Sequence, residues 1–210
     1  MQIKSIIFDL AGVLLNLDLE KDTQALLAVG LPDFDECLRR PEIAQPALKY
    51  LNGLIDEKEF LPQIRPYCRP DVTDPEIIES MNAVLADLPK SRMELLVSLR
   101  QHYKVYLLSN LNESDWQYTQ ALIQEAGYQV DQLFDRTFIS YQMHMAKPDP
   151  RIFEEVIRAT GIQPAETLYL DDTRENIESG RKMGFQAHLV PMNQLESILD
   201  GLLCRLDEVE

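Results

Sequence analysis

The most constraining feature of this chain is an alternation. From residue 89 onward, short apolar runs take turns with amphipathic ones. The runs at 104–108, 136–140, 167–170 and 187–190 are too short for stable helices and rich in Val, Ile, Leu, Phe and Tyr, so strands are expected there. Helices are expected at 91–101 and 113–126. Asp149 is expected to cap a third, with Pro150 at its first position and Gly161 at its end, and a fourth spans 173–183. Strands that alternate with helices form a parallel sheet covered on both faces. The run at 3–8 has the same buried-strand character but lies far upstream. Between it and residue 89 the apolar spacing is helical, at 19–29, 42–51, 57–67 and 75–88. Gly30, Pro32, Pro41, Gly53 and the stretch "RPYCRPDVTDP" separate these helices. The expected architecture is a Rossmann-like α/β core built from residues 1–15 and 89–210. An all-helical block, 16–88, is inserted after its first strand.

In a doubly wound sheet, ligands bind beyond the carboxyl ends of the strands, so the residues that close each strand are the candidates. The first strand, in "IIFDLAGVLLNLD", closes on Asp9. The second, in "VYLLSN", closes on Ser109 and Asn110. Lys147, in "MAKPDP", follows the third. Asp171 and Asp172, in "LYLDDTREN", close the fourth. A carboxylate can attack phosphorus to form an aspartyl-phosphate. Clustered carboxylates attract Mg²⁺, which offsets the repulsion between that nucleophile and an anionic substrate. Ser109 and backbone N–H groups can hold phosphate oxygens, and Lys147 can neutralise them.

Each residue taken singly also has a plainer reading. Asp9 fits a turn before Gly12, and Ser109-Asn110 fits an ordinary turn. Lys147 fits a solvated lysine at a helix entry. Asp172 with Glu175 fits a helix capping box. Together, four strand ends that each carry a polar residue of the required kind favour the phosphate-handling site.

The formal net charge of −15 and the lack of a basic stripe argue against a nucleic-acid partner. No apolar run reaches the roughly 18 residues of a membrane span, and the N-terminus lacks a signal-peptide pattern. Cys37, Cys68 and Cys204 are widely spaced, which suits free thiols in a reducing cytoplasm.

The motifs "FDLAGVL", "LLSN", "KPDPRIF" and "LDDTREN" resemble, in order, the four motifs of the haloacid dehalogenase-like hydrolase superfamily. Within it, "FDLAGVLLNLD", "SNLN" and "DDTREN" look most like the α-D-glucose-1-phosphate phosphatase-like subgroup. The resemblance implies a Mg²⁺-dependent phosphatase acting on a small phosphorylated substrate through Asp9. It implies a metal held by Asp9, the Ala11 carbonyl and Asp172, with Asp171 beside it. Ser109 and Asn110 would hold the phosphoryl group, and Lys147 would stabilise both that group and Asp9. Asn176 matches a position that supports the site, or else faces solvent. The helical block falls where the family carries its cap.

The sequence departs from the pattern at Ala11, where the family's phosphatases usually place an aspartate that moves protons. Such help is typically worth about 10²–10⁴-fold. The expectation is therefore a slow phosphatase, or one that favours substrates with good leaving groups, with water or a cap residue substituting. Three alternatives stay open. One is a member that binds phosphorylated ligands or a protein partner without turnover. The second is a phosphonate hydrolase using the cap lysine Lys49, and the third is a metal-free 2-haloacid dehalogenase. In the helical block Lys21, Lys49, Tyr50, Tyr67 and Arg69 are candidates to meet a substrate or to face solvent. Trp116 suits an apolar helix face better than the site entrance.

Overall fold

The computed structural model describes residues 2–199; Cys204 lies outside them. The core is a five-stranded parallel sheet in the order β3-β2-β1-β4-β5. Its strands are β1 (Ser5–Phe8), β2 (Lys104–Ser109), β3 (Arg136–Ile139), β4 (Thr167–Asp171) and β5 (Gln186–Leu189). Successive side chains of a strand point to opposite faces, and the core divides accordingly. Ile6, Phe8, Val105, Leu107, Leu168 and Leu170 enter one apolar cluster. Ile7, Tyr106, Leu108 and Tyr169 enter another on the opposite face. The chain builds outward from β1 through β2 to β3, then returns to lay β4 and β5 on the other side. The order therefore reverses between β1 and β4, where a doubly wound sheet opens its ligand crevice.

Five helices follow β1: α1 (Leu19–Val29), α2 (Phe34–Arg39), α3 (Pro41–Leu51), α4 (Glu57–Ile64) and α5 (Asp74–Asn82). They carry an apolar cluster of their own, including Leu26, Ile43, Tyr50, Phe60, Ile64 and Ile77. The remaining helices, α6 (Lys90–Leu99), α7 (Glu113–Glu125), α8 (Val130–Leu133), α9 (Ser140–Met143), α10 (Pro150–Thr160) and α11 (Arg174–Lys182), connect or flank the strands.

Several boundaries differ from the sequence expectation. The helix expected at 75–88 stops at Asn82, because the chain there pairs with the outgoing linker. Asn16 and Asp18 donate backbone hydrogen bonds to Asp87 and Val84, and Leu17 bridges Leu85 in antiparallel fashion. The helix expected at 57–67 ends at Ile64 and tightens into a 3₁₀ turn holding Pro66, which supplies no N–H. The short helices α2, α8 and α9 were not foreseen; none spans a full period pair that apolar spacing can reveal. Asp149 and Gly161 cap α10 as expected. Cys37 and Cys68 carry free thiols. Among the described residues, no helix is long and apolar enough to cross a membrane.

Candidate active site

The sheet brings Asp9, Ser109, Lys147 and Asp171 to one edge, and all four are buried. The register sets this up. Phe8 lies level with Leu107 on one side and Leu170 on the other, so Asp9 emerges beside the ends of β2 and β4. The Asp9 amide donates to the Leu170 carbonyl at 2.8 Å, continuing the ladder by one residue.

Asp9 is held by one oxygen. Its Oδ1 accepts from the Leu10 amide at 2.7 Å, from Ser109 Oγ at 2.7 Å and from Lys147 Nζ at 3.0 Å. Among the described residues, none donates to Oδ2. Among the described residues every fully buried side-chain oxygen or nitrogen has a partner, so Oδ2 keeps access to solvent.

Lys147 is not the solvated lysine that its position before Pro148 allowed. Its ammonium donates to the Leu108 carbonyl at 2.8 Å and to Asp171 Oδ2 at 2.7 Å, and pairs with Asp9. These three partners match its three donors. Its backbone is clamped as well. Asn110 donates from Nδ2 to the Lys147 carbonyl and accepts from the Lys147 amide on Oδ1, both at 2.9 Å. The Asn110 side chain is thus committed to Lys147, which leaves its backbone N–H as its means of meeting a phosphoryl group.

Asp171 is saturated. Its Oδ2 accepts from Lys147, from the Tyr169 hydroxyl at 2.5 Å and from Asn176 Nδ2 at 3.2 Å. Its Oδ1 accepts from the Thr173 amide at 2.8 Å and from Asn176 at 3.0 Å. Asn176 is therefore buried in the site and does not face solvent. Asp172 is different: Thr173 Oγ1 donates to its Oδ1 over a long 3.4 Å. It does not cap α11, whose N-cap is Thr173. Its Oδ2 rests against the Cα of Gly12, so closely that a Cβ there would lie 2.2 Å away.

The electrostatics follow this division. Burial pushes the Asp9 carboxyl up to about 7; Lys147 opposes this and Asp171 adds to it. Burial also works to raise Asp171, but Lys147, Tyr169 and the Thr173 amide outweigh it and hold this carboxyl below the ordinary range. Burial lowers Lys147, yet the charges of Asp171 and Asp9 win and the ammonium is retained. Asp172 is raised by burial and by Asp171.

One oxygen from each of Asp9, Asp171 and Asp172 falls within 4.8 Å of the others. All are hard oxygen donors, which suits Mg²⁺ or a similar cation over softer metals. Asp9 Oδ2 and Asp172 Oδ2 are the ones left open.

The helical block answers the remaining candidates. Tyr50 is buried, stacks on Phe60 with ring centroids 4.8 Å apart, and accepts from the Ser114 amide through its hydroxyl. It joins the helical block to the first turn of α7 and is not a surface residue. Lys21, Lys49, Tyr67 and Arg69 are exposed, and Arg69 pairs with Asp71. Trp116 is buried in the main apolar cluster, as its helix face suggested.

A family model described as haloacid dehalogenase-like hydrolase matches residues 3–184. The D-ribitol-5-phosphate phosphatase of Bacteroides thetaiotaomicron is 31% identical over 186 residues, covering 88% of this chain and 90% of that protein. A haloacid dehalogenase family enzyme from the same organism superimposes with a TM-score of 0.88 at 33% identity, over 95% of this chain and 99% of that one. Its complex with magnesium and inorganic phosphate gives a TM-score of 0.84 at 33% identity, over 91% and 96% of the two chains.

Proposed function

The chain belongs to the haloacid dehalogenase-like hydrolases, and on that premise we propose that this phosphatase hydrolyses small sugar or polyol phosphates through an aspartyl-phosphate on Asp9. The observation that carries the reading is the asymmetry of the Asp9 carboxylate. Its Oδ1 is pinned by Leu10, Ser109 and Lys147, which aims the unengaged Oδ2 into the crevice. A carboxylate fixed in this way is pre-positioned for in-line attack.

In the first step Asp9 Oδ2 bonds to phosphorus as the bond to the ester oxygen breaks. In the second, water attacks phosphorus and gives up a proton to solvent as the Oδ2–phosphorus bond breaks, releasing inorganic phosphate and restoring the Asp9 carboxylate. Ala11 carries no proton, so the departing alkoxide takes its proton from water. This restricts speed on poor leaving groups and motivates a slow enzyme. Backbone N–H groups around Ser109 and Asn110 orient the phosphoryl oxygens. Lys147 acts on them through its charge, since its donors are already engaged.

The Asp9 carboxylate, the Ala11 carbonyl and Asp172 would hold Mg²⁺, with Asp171 fixing Lys147 nearby. The ion supplies charge neutralisation between nucleophile and phosphate. The helical block of residues 16–88 acts as the cap that selects the substrate.

The test is a screen of sugar, polyol and acyl phosphates, with p-nitrophenyl phosphate, in the presence of Mg²⁺. Hydrolysis should disappear with EDTA and in Asp9→Asn. If pure wild-type protein binds phosphate esters but hydrolyses none of them, the chain is a binding member of the family and the enzymatic reading fails.

A further inference from the structure

Arg92 lies in the first turn of α6 and is only 3% exposed. All three of its guanidinium nitrogens are engaged. Nη1 donates to the carbonyls of Val13 at 2.9 Å and Leu14 at 3.2 Å and to Asn16 Oδ1 at 2.9 Å. Nη2 donates to the Asn193 carbonyl at 3.1 Å, and Nε and Nη2 together grip the Glu196 carboxylate. Asn193 works from the other side. It sits at φ 61, a left-handed conformation that asparagine tolerates. Its backbone N–H donates to the Gly12 carbonyl at 2.7 Å. Its side-chain amide pairs with both the N–H and the C=O of Leu17, at 2.8 and 2.9 Å.

The same segment begins at the far side of the crevice, where the Val190 amide donates to the Asp171 carbonyl at 2.9 Å. A stretch of a few residues therefore ties the end of β4 to the loop after β1. That loop carries Ala11 and continues directly into the linkers that lead to and from the helical block.

We propose that Arg92 and Asn193 are positioning residues for the metal-facing loop. They hold the Ala11–Gly12 peptide at a fixed separation from Asp172. This rests on the phosphatase reading, because it needs the Ala11 carbonyl to face the cation. Buried arginines are normally paired, but pairing alone would need only Glu196. Here the guanidinium gathers the carbonyls of one loop, and the asparagine amide closes the end of that loop.

Calorimetric Mg²⁺ titration of wild type, Asn193→Gly and Arg92→Lys tests it. Glycine keeps the left-handed backbone and the N–H to Gly12 and removes only the Leu17 pairing. Lysine keeps one charge for Glu196 and loses the fork. The expected result is Mg²⁺ binding weakened by about tenfold or more in both variants. Hydrolysis should shift to higher Mg²⁺ and recover its kcat at saturation. Unchanged Mg²⁺ affinity with only a lower melting temperature would overturn the proposal and leave the cluster a structural staple. Should Arg92→Lys fail to fold, Asn193→Gly decides alone. A wild-type protein that takes up no Mg²⁺ would instead overturn the phosphatase reading beneath it.

Discussion

Replacing Gly12 by alanine is expected to separate stability from function. Gly12 has φ +79, and a Cβ on it would lie 2.2 Å from Asp172 Oδ2, 2.8 Å from its Cγ and 3.5 Å from Met192 Cγ. The left-handed conformation costs an alanine about 1–2 kcal/mol, partly offset by the reduced freedom of the unfolded chain, worth about 0.4–1 kcal/mol. The steric clash adds little, because the atoms met are the end of a rotatable side chain whose hydrogen bond from Thr173 Oγ1 is a long 3.4 Å. The net loss of about 1 kcal/mol should lower the melting temperature by about 2–4 °C. The functional effect is larger. To restore an ordinary contact the carboxylate must retreat by roughly 1 Å, and a misplacement of that size at a reacting centre can cost about 10²-fold. Gly12→Ala should therefore bind Mg²⁺ and hydrolyse substrate roughly 100-fold less well while melting close to wild type. Calorimetric Mg²⁺ titration beside a thermal melt measures both. Wild-type Mg²⁺ affinity in a folded Gly12→Ala protein would refute the assignment of Asp172 as the metal-facing carboxylate.

Two further outcomes are expected. Ala11→Asp supplies the missing proton carrier, so hydrolysis of alkyl phosphates should rise by about 10²-fold or more, and that of p-nitrophenyl phosphate, whose leaving group needs no proton, far less. An equal effect on both substrates would mean that proton transfer is not what Ala11 limits. Asp22, buried on α1, has its carboxyl pushed by burial to about 6. A raised acid favours the fold while protonated, so this advantage is intact below its ordinary value near pH 4 and lost as pH rises through about 6. The full shift corresponds to roughly 3 kcal/mol, and an amide retains part of the burial cost. Asp22→Asn should therefore stabilise the protein by about 1–2 kcal/mol at pH 8 and hardly at all at pH 4, read by urea denaturation at both pH values.

The elements that sequence reading located well are those where one physical pattern dominates. The strands β1, β2 and β4 are buried on both faces, so they appear as continuous apolar runs that stop where a polar residue is needed. The elements it missed are short or held from outside. The run at 75–88 keeps helical spacing to its end, but Val84 and Leu85 are drawn into pairing with the linker at 16–18, a contact between segments far apart in the chain. Arg92 did leave a signal. It shares a helical face with the buried Leu96 and Leu99, and an arginine in such a stripe needs buried partners. Asn193 left none, since its value lies in a left-handed backbone and a pairing with Leu17.

Which residue types gather at the crevice followed from the sequence alone, because strand period and the direction of a parallel sheet dictate what its carboxyl edge presents. The division of labour among them did not. Asp171 and Asp172 are adjacent and chemically identical, yet one is buried under Lys147, Tyr169, Asn176 and the Thr173 amide while the other is left open against Gly12. Likewise, the Asn110 side chain that resembled a phosphate ligand is turned to the Lys147 backbone. A hydrogen-bond donor goes to whichever acceptor the tertiary fold brings within about 3 Å, and only the folded chain decides which acceptor that is.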